Sequence, residues 1–147
     1  MKLISLLLLL ALTSCASNLT YDSQKNCSER ALNYKAPKPS EADSKFYRAN
    51  AEKVHDLFQN KLTPEFFQCY QNYLDAAVSP KEFAVCTMTV IQNGKVTFTD
   101  ADDRVNGLSS ELKTCLESVL TKANWSFYNR PSAVFINQPV ILHAKRQ

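Results

Sequence analysis

Only two glycines occur in this chain, and the first, Gly94, follows an asparagine between two runs of strand-forming residues. Both central positions of a type I′ turn need positive φ, which Asn-Gly supplies, so Asn93-Gly94 dictates a tight antiparallel hairpin. Phe83 to Ile91, rich in Val, Thr and Ile, forms the outgoing strand, and Lys95 to Thr99 forms the return. With glycine this scarce, a Gly-rich phosphate loop cannot be built elsewhere.

Helices flank the hairpin. Ser40-Glu41-Ala42-Asp43 predicts a capped helix start, with an acidic residue at the third helical position. Tyr47, Ala51, Val54, Phe58 and Leu62 then recur at three- and four-residue spacing. Thr63-Pro64 restarts the count, with Thr as cap and Pro at the first helical position. Phe66, Tyr70, Tyr73, Leu74 and Ala77 line one face of this second segment, which ends at Ser79-Pro80. After Asn106-Gly107 and a serine cap, Leu112, Cys115, Leu116, Val119 and Leu120 form the clearest helical stripe. Pro131 then marks a turn, and Ala133 to His143 is a last strand interrupted by Pro139.

The order is α-β-β-α-β. A right-handed crossover lays the last strand parallel to the second, giving a three-stranded antiparallel-type sheet of order 2-1-3. Pro139 fits an edge, because proline cannot donate to a ladder. The expected class is α+β, with helices packed on one face through Ala84, Cys86, Met88 and Val90, and Trp125 and Phe127 plugging the core.

The start of the chain sets its compartment. Lys2 precedes an apolar run, Leu3 to Leu12, too short to span a bilayer, and small residues lead to Cys15. Residues 1–14 have the form of a secretory signal peptide. Leu12-Thr13-Ser14-Cys15 resembles a bacterial lipobox, which implies cleavage before Cys15 and acylation of its thiol. Residues 15–39 are polar and aperiodic and are expected to be a tether with a reach of about 25–30 Å. Residues 40–147 then hold one domain, a helical lead-in and a core over 63–143. Lys and Arg number 17 against 14 Asp and Glu, interspersed, which makes no case for nucleic acid. Export permits disulfides. With Cys15 lipidated, Cys27, Cys69, Cys86 and Cys115 remain, and four cysteines allow three pairings.

In that order the residues are similar to a known family. Cys69-Tyr70 with Leu74 in the first helix, Val90-Ile91-Gln92-Asn93-Gly94-Lys95-Val96 in the hairpin, Cys115-Leu116 in the next helix, Trp125-Ser126-Phe127 and Pro139 form an ordered set. From Thr63 to His143 the chain resembles the TonB C-terminal-like domain, in the version found at the C-termini of AgmX- and PglI-type proteins. Asn129-Arg130-Pro131-Ser132 fills a loop where the family commonly has glycines, and Gln138 replaces an aromatic before the strand proline. A lipobox and short tether stand where energy-transducing members carry a transmembrane anchor and long spanner. The resemblance implies a Cys69–Cys115 bridge, leaving Cys27 and Cys86 as the remaining pair.

Residues for catalysis are sparse. His55 and His143 lack a nucleophile or carboxylate at an indicative spacing. No short Cys-x-x-Cys exists for metal. Asp100, Asp102 and Asp103 do not complete a calcium loop, because Arg104 replaces a ligand and Val105 occupies the position needing glycine. No enzyme activity, metal or cofactor is expected. The expected function is a non-catalytic protein-interaction module on a membrane-anchored envelope lipoprotein, exported and held at the outer membrane facing the periplasm. Its partner, another envelope protein, would add a strand along Ala133, Val134, Phe135, Ile136, Asn137 and Gln138. The alternative is a carrier or sensor for a small-molecule or cell-wall ligand, bound between helices and sheet.

Overall fold

The structure is a computed structural model that describes residues 19–144. The expected signal peptide, 1–14, and Cys15 lie outside the described residues. At the centre is β1 (Phe83–Gln92), antiparallel to both β2 (Lys95–Asp102) and β3 (Val134–Leu142), in the sheet order β2-β1-β3. The fold is α+β with the expected strand order. In the connecting turn Asn93 has φ 52° and Gly94 φ 71°, as a type I′ turn requires. Glycine is needed there for a second reason. The Asn93 and Gly94 amides donate to Arg130 O and Tyr128 O at 2.8 and 3.1 Å, so close that a Cβ on Gly94 would lie 3.3 Å from Ser126 Cα.

One layer is helical: α2 (Glu41–Ala49), α3 (Ala51–Leu57), α4 (Thr63–Ala76) and α5 (Ser110–Lys122). Phe66, Leu112, Leu116, Leu120 and Trp125 pack there against Phe83, Val85 and Ile91 of β1. Each fully buried side chain of this size contributes about 1.5–3 kcal/mol. Trp125 is the plug expected of it; its indole N–H donates to Leu120 O at 2.9 Å, satisfying the one polar atom it buries. Ser109 caps α5, its Oγ accepting from Leu112 N at 3.2 Å.

The lead-in differs from a single stripe. Asn50 ends α2, its amide shared between Phe46 O and Tyr47 O and its side chain donating to Phe46 O. Ala51 is exposed, while Tyr47, Phe58 and Leu62 are buried. Thr63 does not cap. A π-helical turn, Phe58–Leu62, runs directly into α4, with Thr63 N–H reaching back to Phe58 O. Pro64 supplies a physical reason. It has no N–H to give the carbonyl four residues back and its ring crowds that carbonyl, so a widened turn accommodates both.

Two corrections follow at the N-terminal side. Residues 19–33 are not tether but a helix, α1, laid on the sheet. The helices therefore cover both faces. Ala84, Cys86, Met88 and Val90, expected to face α4 and α5, alternate with the residues that do; Cys86 and Met88 form a second small core with Cys27 of α1 and Phe135 of β3. Nine of the ten β1 residues are buried, so no polar face marks which side belongs to which layer. Residues Ser23, Asn26, Cys27, Arg30 and Tyr34 make the contact stripe of α1. They recur at helical spacing but are mostly polar, so no hydropathy period reveals them.

Both disulfides are present: Cys27–Cys86, with Cα atoms 5.0 Å apart, and Cys69–Cys115, 5.8 Å apart. The first staples α1 to β1, the second α4 to α5. Two bridges fit an oxidising, exported setting. Among the described residues no helix is long and apolar enough to cross a membrane.

In the chain-entropy model, closing the loop between Cys27 and Cys86 contributes about 4 kcal/mol. Replacing both by serine is expected to lower unfolding stability by roughly 2–4 kcal/mol and to release α1 first, because the larger core lies on the other face. Hydrogen exchange checks this: residues 19–33 should lose protection while β1 and α5 keep theirs. Simultaneous loss everywhere would show that the two layers cannot be separated.

Candidate interaction edge of the sheet

β3 pairs with β1 from Phe83 opposite Leu142 to Ile91 opposite Val134. No other strand of the described chain lies beyond it. Not one charged residue occurs from Val134 to Leu142. Edge strands commonly carry charges that deter pairing with a foreign strand, and only Pro139 serves that purpose here.

The opposite edge, β2, is different. It carries Lys95, Asp100 and Asp102. Arg30 of α1 pairs with Asp100 and, at 2.6 Å, with Asp102, while Lys113 of α5 reaches Asp100 from the other layer at 2.5 Å. This network wraps the end of the β2 edge from both faces. The same contacts account for two members of the acidic trio. The third, Asp103, is buried and accepts from the Ala84, Val105 and Asn106 amides at 2.8, 2.9 and 3.0 Å, which shapes the loop between β2 and α5.

The expected partner-binding residues divide four ways. Ala133 precedes the strand. Val134 and Ile136 pack on the larger core. Phe135 lies against Tyr34, centroids 5.1 Å apart, and Asn137 donates to Cys27 O at 3.2 Å; both therefore hold α1. Gln138 O accepts from Thr87 Oγ1 at 2.9 Å. The side chains of Val134, Phe135, Ile136 and Asn137 are committed inward and Gln138 is held through its backbone carbonyl, so the edge offers mainly its backbone. A proline on an edge strand turns its nitrogen outward. By two-residue alternation the Phe135, Asn137 and Ile141 amides share that outward side, and Ile136 faces β1.

Grooves missed in the sequence flank the second half of the strand. A cavity of about 160 Å³ lies between Phe58, Gln59, Thr63, Phe66 and Phe67 and the segment Gln138–Leu142. It adjoins a larger one, about 710 Å³, that shares Gln59, Thr63 and Phe67 and extends to Leu74 and His143. The residues that build the groove come from the π-helical turn and α4, and their exposed flank has no period to announce it. A separate cavity of about 400 Å³ lies between α4 and α5, beside the Cys69–Cys115 bridge, with Tyr73, Ala76, Ala77 and Leu112. It lies between two helices rather than between helices and sheet.

The head of β3 is clamped to the start of α2. Ser40 Oγ accepts from Asp43 N at 3.2 Å, the expected cap. The Asp43 carboxylate does not reach back to Ser40; it accepts from Ser132 N at 2.9 Å, while Ser132 Oγ accepts from Ser40 N at 3.1 Å. Ser132, far along the chain, thus completes the box. Tyr47 donates its hydroxyl to Ser132 O, and burial pushes the Tyr47 pKa up, which keeps it a donor. The backbone and then the hydroxyl of Ser132, with Arg130, hold Asp43 below the usual carboxylate range, against the opposing effect of burial.

A depressed folded pKa means that ionised Asp43 contributes stability above the ordinary aspartate value of about 3.9. That contribution is lost as pH falls through the lower folded value. Asp43→Asn should therefore be less stable than wild type at neutral pH, with the gap closing under acid. Urea melts across a pH series test this; a gap independent of pH would assign the effect to shape rather than charge.

No family model, no curated protein and no solved structure matches this chain.

Proposed function

We propose that this chain is a membrane-anchored envelope lipoprotein whose domain is a non-catalytic protein-interaction module. It captures an extended segment of another envelope protein along β3. The observation that carries this reading is the inequality of the two sheet edges: β3 is uncharged, open and grooved, whereas the Asp100–Asp102 end of β2 is closed by Arg30 and Lys113. An added strand would gain main-chain hydrogen bonds from the outward groups of β3 and seat alternate side chains beside Phe58 and Phe67. The resemblance to the TonB C-terminal-like domain agrees with this mode. The groove beside Gln138–Leu142 supports a contact that continues past Ala133–Gln138 along the strand.

Attachment comes from Cys15. Each buried methylene contributes about 0.8 kcal/mol, and several acyl chains together anchor stably. The site of attachment is the outer membrane, with the domain in the periplasm. A second reading, a small-ligand carrier, draws on the 400 Å³ cavity between α4 and α5; a bound small molecule in native mass spectrometry would favour it.

Two expected outcomes test the proposal. Cys15→Ala should abolish lipid labelling and move the protein to soluble fractions; membrane retention with normal processing would reject the anchor. At the edge, Asn137→Pro removes an outward donor, whereas Asn137→Ala keeps it and removes only the side-chain bond to Cys27 O. Loss of one ladder bond, about 1 kcal/mol, should weaken partner capture about fivefold in the proline variant. The alanine variant should bind as wild type. Equal capture by both, in folded protein, would reject strand addition.

A further inference from the structure

Large apolar side chains left bare on three separate segments converge on one end of the molecule. Val78, between α4 and β1, is fully exposed, Val105, between β2 and α5, is 78% exposed, and Tyr21 near the start of α1 is 64% exposed. Their convergence is held by named bonds. Asn106 Nδ2 donates to Glu82 O at 3.2 Å, joining the loop that bears Val105 to the segment that bears Val78. That segment is pinned in turn: Lys81 O accepts from the Tyr70 hydroxyl and Lys81 N donates to the Tyr73 hydroxyl. Arg104 meets Glu29 of α1 at 2.7 Å. Tyr21 lies eight residues before Glu29, about two turns further toward the N-terminal end of α1.

The direction of α1 settles which end this is. Asn26 Nδ2 donates to Ala84 O and Asp102 O, at the start of β1 and the end of β2. Tyr34 stacks on Phe98 and Phe135, both opposite Val90 near the other end of β1. The chain therefore enters the domain at the Val78–Val105 end. From Cys15 to residue 19 is four residues, at most about 14 Å of extended chain.

We infer that this end, with Tyr21, Val78 and Val105, is the face that rests on the bilayer holding the Cys15 lipid, an inference that rests on the lipoprotein reading above. Lys25, Lys81 and Arg104 there are offset by Asp22, Glu29 and Glu82, three against three, so the contact is apolar rather than an attraction to anionic headgroups. The strands then run away from the membrane, and the β3 edge faces sideways, free for a partner.

The test uses the full, processed protein purified from membranes and placed in phosphatidylethanolamine–phosphatidylglycerol vesicles. A benzophenone amino acid at Val78 or Val105 should give lipid adducts in several-fold higher yield than one at Leu32, exposed near the C-terminal end of α1. High salt should leave the yields unchanged. The double change Val78→Asp and Val105→Asp, at sites that bury little, should lower adduct formation from a probe at Tyr21. Equal yields at all sites, adducts to protein alone, or loss of adducts in high salt would each overturn the apolar membrane face. The intact mass of the processed N-terminus separates the two levels. An acylated Cys15 without site preference rejects only this orientation, whereas a chain lacking acyl groups rejects the anchor itself and the orientation with it.

Discussion

A strand that buries its side chains on both faces needs a layer on each side, and β1 imposes that requirement on everything around it. Its Phe83–Val85–Ile91 face is covered by α4, α5 and Trp125, the larger of the two cores. Its Cys86–Met88 face is covered by one helix whose contact stripe is Ser, Asn, Cys, Arg and Tyr. Such a helix buries little apolar area, and polar groups contribute only about 0.5–1.5 kcal/mol net per hydrogen bond. The Cys27–Cys86 bridge makes that layer permanent. The two disulfides interlace along the chain, 27 with 86 and 69 with 115, so α1, β1, α4 and α5 are tied into one domain.

That double covering also determines where the molecule can act. With both faces closed, only edges, inter-helix grooves and ends remain. The edges are unequal for a reason rooted in α1: its Arg30 reaches over β2 toward Asp100 and Asp102, while its contacts with β3, through Tyr34 and Cys27 O, stay on the face. The β3 backbone is left open. The Asp43–Ser132 clamp holds the head of that strand against α2 and so maintains its alignment beside the groove.

Much was legible in the residues alone. Asn93-Gly94 specifies the hairpin because few residues tolerate positive φ. The Leu112–Leu120 stripe specifies α5 because its period is apolar. Pro139 specifies an edge strand because it lacks a donor, and Ser40 and Ser109 mark helix starts because their hydroxyls take free amides. What stayed illegible shares a cause. Helix α1 has a helical contact period written in polar residues, and hydropathy does not register a disulfide, an amide bond or an ion pair. The grooves beside β3 arise where a π-helical turn meets the sheet, a meeting no local pattern contains.

Sequence by itself determined the order α4-β1-β2-α5-β3, the strand order and the presence of cysteines able to bridge, since turn chemistry, apolar periodicity and crossover handedness are local or topological constraints. Tertiary structure alone decided which face of β1 meets which layer, that residues 19–33 are a layer rather than a tether, and that ion pairs close the end of the β2 edge. The physical reason is that β1 is apolar or small on both faces. Its alternation therefore carries no sign, and the choice falls to partners distant in sequence: Cys27 for Cys86, Arg30 for Asp100, Ser132 for Asp43.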